Sequence, residues 1–131
     1  MKTSSYGAEA GLRIVVADDN VDLRELLRSV LEAEGHVVRL AANGREALQL
    51  QHKEAADVLI TDLFMPESDG FEAIDGFRSA FPQTRIVVIS GDAKVTRGNY
   101  LQAASLIGAD ATLSKPVDCD RLLETLRSLS G

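Results

Sequence analysis

Five short β-branched runs, separated by stretches of helical period, constrain this chain more than any other feature. The runs are Ile14–Ala17, Val37–Ala41, Val58–Ile60, Ile86–Ile89 and, more weakly, Ala111–Leu113. Strands that alternate with helices build βα units and a parallel sheet. Right-handed crossovers then put helices on both faces. The expected class is α/β: a doubly wound five-stranded parallel sheet with five helices.

The first helix is the clearest. Leu23, Leu26, Leu27, Val30 and Leu31 follow the spacing of one buried face. Asp19 or Asn20 suits its cap, and Gly35 the position just past its end. Asn43-Gly-Arg-Glu46 opens a second helix as an approximate capping box. A third segment aligns Phe71, Ile74, Phe77 and Phe81, and Pro82 stops it. Gly98 interrupts Ala93–Gly108, so the fourth helix is expected to start near Asn99. The last starts near Asp118 and aligns Leu122, Leu126 and Leu129.

Composition excludes several classes. The chain has 131 residues, about one domain's worth. Residues 1–11 are small and polar and read as a flexible leader to a domain over 12–131. Twenty acidic residues against 14 Lys+Arg give a net charge of −6. The basic residues are scattered, which argues against direct binding of nucleic acid through its phosphates. Cys119 stands alone, which excludes an internal disulfide and a cysteine zinc cluster. No apolar run approaches the roughly 20 residues of a membrane span. The N-terminal residues lack a signal peptide's apolar core. A cytoplasmic protein without membrane contact is expected.

In open parallel sheets, ligands bind outside the carboxyl ends of the strands. The groups just after the runs are Asp18 and Asp19, Asp62, Ser90, and Lys115-Pro116. Each alone has an ordinary structural reading. Asp and Asn are favoured helix caps, Asp62 and Lys115 suit turns before proline, and small polar residues are common at strand ends. Together they amount to three carboxylates, a hydroxyl and an ammonium. Crowded carboxylates repel unless a cation sits among them. Oxygen ligands with free positions suit Mg²⁺. A Lys and a Ser aimed at the same place suit a phosphoryl group. A carboxylate can itself be the nucleophile that accepts phosphorus.

Four pieces of the sequence carry a resemblance: Val16-Ala17-Asp18-Asp19-Asn20, Thr61-Asp62-Leu63-Phe64-Met65-Pro66-Glu67-Ser68-Asp69-Gly70, Val88-Ile89-Ser90-Gly91 and Leu113-Ser114-Lys115-Pro116. In order, each after an expected strand, they resemble the receiver domain of two-component response regulators over about Leu12 to Leu129. The resemblance implies a flavodoxin-like sheet of order 2-1-3-4-5. It implies Asp62 as phosphoacceptor, with Ser90 and Lys115 on phosphoryl oxygens. It implies Mg²⁺ on Asp19, Asp62 and the Phe64 backbone carbonyl, with Asp18 acting mainly through a metal-bound water. Lys115-Pro116 resembles the family's cis-proline junction. Implied partners are a sensor histidine kinase or histidine phosphotransfer protein, and a downstream protein target. The implied protein is a signalling phosphoacceptor that catalyses only its own phosphorylation and dephosphorylation, as a monomer or weak homodimer.

Three departures from the family pattern bear on signalling. Thr112 stands where an aromatic is usual, three residues before the lysine. Phe64, two after the acceptor, is apolar where polar residues are frequent. The stretch from Gly91 through Asp92 to Asn99 is slightly longer and more polar than usual. Thr112, Phe64, Asp92 and Pro116 are therefore the expected modulating positions. Competing functions fit less well. A dehalogenase-type phosphatase needs a second acid where Phe64 stands, and a nucleotide or flavin module needs a phosphate loop where the acidic ADDN turn stands. A constitutive interaction domain would suit Thr112, but not the intact Asp62, Ser90 and Lys115.

Overall fold

The computed structural model describes residues 11–63, 70–90 and 108–130, with the side chains of Phe71, Ser90 and Ser130 outside the description. Its elements run β1 (Arg13–Ala17), α1 (Val21–Ala33), β2 (Val37–Ala41), α2 (Gly44–Lys53), β3 (Val58–Asp62), α3 (Gly70–Ala80), β4 (Arg85–Ser90), β5 (Ala111–Ser114) and α4 (Cys119–Ser130). The five strands are parallel, in the order β2-β1-β3-β4-β5, as the resemblance implies. Leader residues 1–10 lie outside the described residues. So does the expected fourth helix, apart from Gly108.

Each central strand is apolar on both faces because both are covered. On β1, Val15 and Ala17 point into one cluster with Leu59, Ile74, Phe77 and Val88, under α2 and α3. Ile14 and Val16 point the other way, to Leu27 and Leu31 of α1 and Leu122 and Leu126 of α4. One expectation fails here. Leu26 is 50% exposed, while Leu27 and Leu31 are buried. Successive helical residues turn by about 100°, so Leu26 falls at the edge of a stripe centred on Leu27 and Leu31.

The caps follow the sequence closely. Asn20 Oδ1 accepts from the Leu23 N–H at 3.0 Å and starts α1. Asn43 Oδ1 accepts from Glu46 N–H, but the Glu46 carboxylate reaches the N–H of Ala42, one residue before the position a capping box uses. Gly35, between α1 and β2, has φ +91°, a conformation L side chains rarely adopt. Gly11, assigned to the leader by composition, lies so close to the Gly35 carbonyl that a Cβ there would overlap it.

Long-range polar pairs tie down the amino ends of the strands. Buried Gln51 donates to Thr84 Oγ1 and accepts from Ala56 N–H, and Thr84 donates to the Ala56 carbonyl. Arg78 donates to the carbonyls of Pro82 and Gly108 and to Asp110 Oδ2, at 3.0, 2.7 and 2.8 Å. Asp110 in turn accepts from Ile86 N–H, joining the starts of β4 and β5. The neutral His36 Nδ1 accepts from Leu12 N–H at 3.0 Å. His36 is thus half-buried and bonded. His52 is exposed, its ring packed edge-on with that of Phe81.

Candidate functional site

Sheet register assembles the acidic end. Ala17 is paired with Thr61, so the chain leaves β1 at Asp18 beside the end of β3 at Asp62. Asp62 is level with Ile89 on β4, and Ser90 with Ser114 on β5. The next residue after β5 is Lys115. Strand ends that are distant in sequence thus open on one edge.

There, carboxylate oxygens of Asp18, Asp19 and Asp62 lie within 4.8 Å of one another. Asp18 and Asp62 are buried, at 2% and 6% exposure, and Asp19 is exposed. The Lys115 ammonium reaches across the end of β4 to both buried acids, 2.8 Å from Asp62 Oδ2 and 3.1 Å from Asp18 Oδ2. Burial pushes the Lys115 pKa down, but its hydrogen bonds to Asp62 and Asp18 and their charges outweigh burial and hold it above the ordinary lysine value. The lysine therefore stays charged. Among the described residues, one ammonium beside three carboxylates leaves a formal charge of −2, which one divalent cation would balance. An all-oxygen set with one exposed member fits a hard ion that keeps some of its waters.

The flanking residues are placed as follows. The Lys115-Pro116 peptide is cis. Thr112 is half-buried opposite Val88 and lines a hollow of about 360 Å³ with Leu113, Lys115, Pro116 and Arg121. Ser90 ends β4 at the same edge, its side chain outside the description. Phe64 and Asp92 lie outside the described residues. Sequence reading missed Arg24, whose guanidinium donates to the Asp18 carbonyl at 2.9 Å. The available signal was its place in the first turns of α1, where side chains lean back toward the helix start.

Residues 14–127 match the response regulator receiver domain family. The chain belongs to that family. This receiver domain is 40% identical over 109 residues to an uncharacterized 14.6 kDa protein in the sodA1 3′ region of Leptolyngbya boryana, covering 83% of this chain and 82% of that one. It is 37% identical over 119 residues to the response regulator MprA of Mycolicibacterium vanbaalenii, covering 90% of this chain and 50% of MprA. The domain thus spans about half the length of its MprA relatives. Among solved structures, the receiver domain of NtrX from Brucella abortus superposes with a TM-score of 0.83 at 29% identity, over 89% of this chain and 97% of that one. A CheY-like receiver domain protein from Methanospirillum hungatei gives 0.81 at 26% identity, over 92% and 94%. Among the described residues, no helix is long and apolar enough to cross a membrane.

Proposed function

We propose that this receiver domain accepts a phosphoryl group on Asp62 from the phosphohistidine of a sensor kinase or histidine phosphotransfer protein. The observation that carries the reading is the ammonium of Lys115 bound to both Asp18 and Asp62 beside an exposed Asp19. An Asp62 carboxylate oxygen attacks phosphorus, and a P–O bond forms as the P–N bond of phosphohistidine breaks. The imidazole leaves, and its proton balance is met from solvent. Lys115 moves from carboxylate to phosphoryl oxygen, where its charge offsets the charge on the transferred group. The Ser90 hydroxyl donates to a second phosphoryl oxygen.

Asp19 and Asp62, with the Phe64 carbonyl, would hold Mg²⁺ directly, and Asp18 through water. Bound there, Mg²⁺ supplies charge neutralisation for the phosphoryl oxygens. An apolar residue at position 64, two after the acceptor, disfavours a hydrolytic water, which slows loss of the phosphoryl group. Thr112 cannot act as the family's rotating ring, so Asp92, Pro116 and the β5 edge carry more of the switch. The output is a population shift on a protein-interaction face rather than turnover of a metabolite. The acidic net charge supports a protein target rather than nucleic acid. A cytoplasmic setting, a domain boundary near residue 12 and a monomer or weak homodimer complete the reading.

The test is intact mass after incubation with MgCl₂ and acetyl phosphate. The expected result is a gain of one phosphoryl group, lost with EDTA and in Asp62→Asn. No gain, together with no spectral response to beryllofluoride, overturns the reading and favours a constitutive interaction domain. Phe64→Asn is expected to shorten the lifetime of the phosphorylated form.

A further inference from the structure

Asp18 is held at every polar atom it has. Its N–H donates to the Ala41 carbonyl at 3.1 Å. Its Oδ1 accepts from Asn20 N–H at 2.8 Å, and its Oδ2 meets Lys115 at 3.1 Å. Its carbonyl accepts from Arg24, which is half-buried six residues along the chain. Arg24 is also the residue whose backbone N–H donates to the Asn20 carbonyl, closing the first turn of α1. One residue therefore grips the chain on both sides of Asp19, through Asp18 in front and Asn20 behind. Asp19 itself is exposed.

We propose that Arg24 is a positioning residue for the cation site, acting through the Asp18 carbonyl to fix the turn that presents Asp19. The inference rests on the proposed reading of the acidic end as a Mg²⁺ site. It makes a prediction opposite in sign to simple electrostatics. Removing a positive charge beside three carboxylates should strengthen binding of a divalent cation. Removing a residue that orients a ligand should weaken it, typically by about tenfold.

The experiment is an NMR titration of the Asn20 amide with MgCl₂ in the full chain, for wild type, Arg24→Met, Arg24→Lys and Arg28→Met. Arg28→Met removes the same charge one turn farther along α1, where Arg28 pairs with exposed Glu25. We expect the Mg²⁺ Kd to rise roughly tenfold in Arg24→Met, by an intermediate factor in Arg24→Lys, and not at all in Arg28→Met. A Kd in Arg24→Met at or below the wild-type value overturns the proposal. So does an equal rise in Arg28→Met, because the effect would then belong to helix charge. If Arg24→Met does not fold, Arg24→Lys decides, and an unchanged Kd there overturns it. A wild type that binds no Mg²⁺ removes the underlying reading, and this inference with it.

Discussion

The two ends of the sheet handle polar groups in opposite ways. At the amino ends of the strands, opposite groups meet. Gln51 meets Thr84 and Ala56, Arg78 meets Asp110 and two carbonyls, and His36 meets Leu12. At the carboxyl ends, the described residues bring three carboxylates together beside one ammonium, which bonds two of them. Complementary sets hold a fold together, because a buried polar group without a partner costs about 1–3 kcal/mol. A surplus of one sign does not stabilise the empty fold; it stores affinity for something of the other sign. The contrast separates structural polar residues from chemical ones without reference to any relative.

The comparison can be broken most severely at the amino end. Gln51→Leu leaves the Ala56 N–H without its partner and removes the donor to Thr84. Urea denaturation should record a loss of about 2–3 kcal/mol, with Mg²⁺ binding unchanged. Arg78→Met removes the donor shared by Pro82, Gly108 and Asp110, whose ion pair is about three-quarters buried. A loss of about 2 kcal/mol is expected in the same assay. An unchanged midpoint in either variant would mean that these pairs do not hold the fold.

At the carboxyl end the sign should reverse. Asp19→Asn relieves repulsion, and in EDTA it should raise stability by about 0.5 kcal/mol. Mg²⁺ should then stabilise the wild type more than the variant, and equal responses would contradict the contrast. The smallest effect belongs to His36. Partial burial pushes its pKa below the usual histidine value, more than the Glu34 carboxylate pushes it up. The unfolded chain therefore takes up the proton first. This contribution is present above about pH 6.5 and is lost as pH falls through that value toward the folded pKa. Denaturation midpoints at pH 7.5 and 5.5 should show the loss. His36→Asn, with an amide oxygen to accept from Leu12, should show less of it.

The carboxyl end was far more legible in the sequence than the amino end. β-branched runs and caps mark where strands stop, and sheets present ligands at those stops, so Asp18, Asp19, Asp62 and Lys115 could be picked out in advance. Strand order came through the resemblance, since spacing alone does not say that β1 lies between β2 and β3. The amino-end pairs left no local trace. Gln51 and Thr84 are 33 residues apart, and Arg78 and Asp110 are 32 apart. Nothing in the composition around either residue announces its partner. Arg24 was passed over for a different reason: an arginine on an amphipathic helix reads as solvent-facing, and only the backbone carbonyl it meets gives it a task. Leu26 erred the other way, counted as core because leucine spacing is blind to the edge of a stripe.

The close approach of Gly11 to the Gly35 carbonyl has a practical side. The polypeptide enters the sheet through a gap only a hydrogen atom wide, beside the bond that His36 makes to Leu12. Any tag, reporter or partner domain joined on the amino side must therefore be spliced upstream of Gly11 and leave both glycines untouched. A junction moved two residues inward would trade the glycine for a side chain and wedge β1 away from the turn before β2. The gap thus acts as a ruler for protein engineering, marking how far inward a junction can be moved before it meets the Gly35 carbonyl.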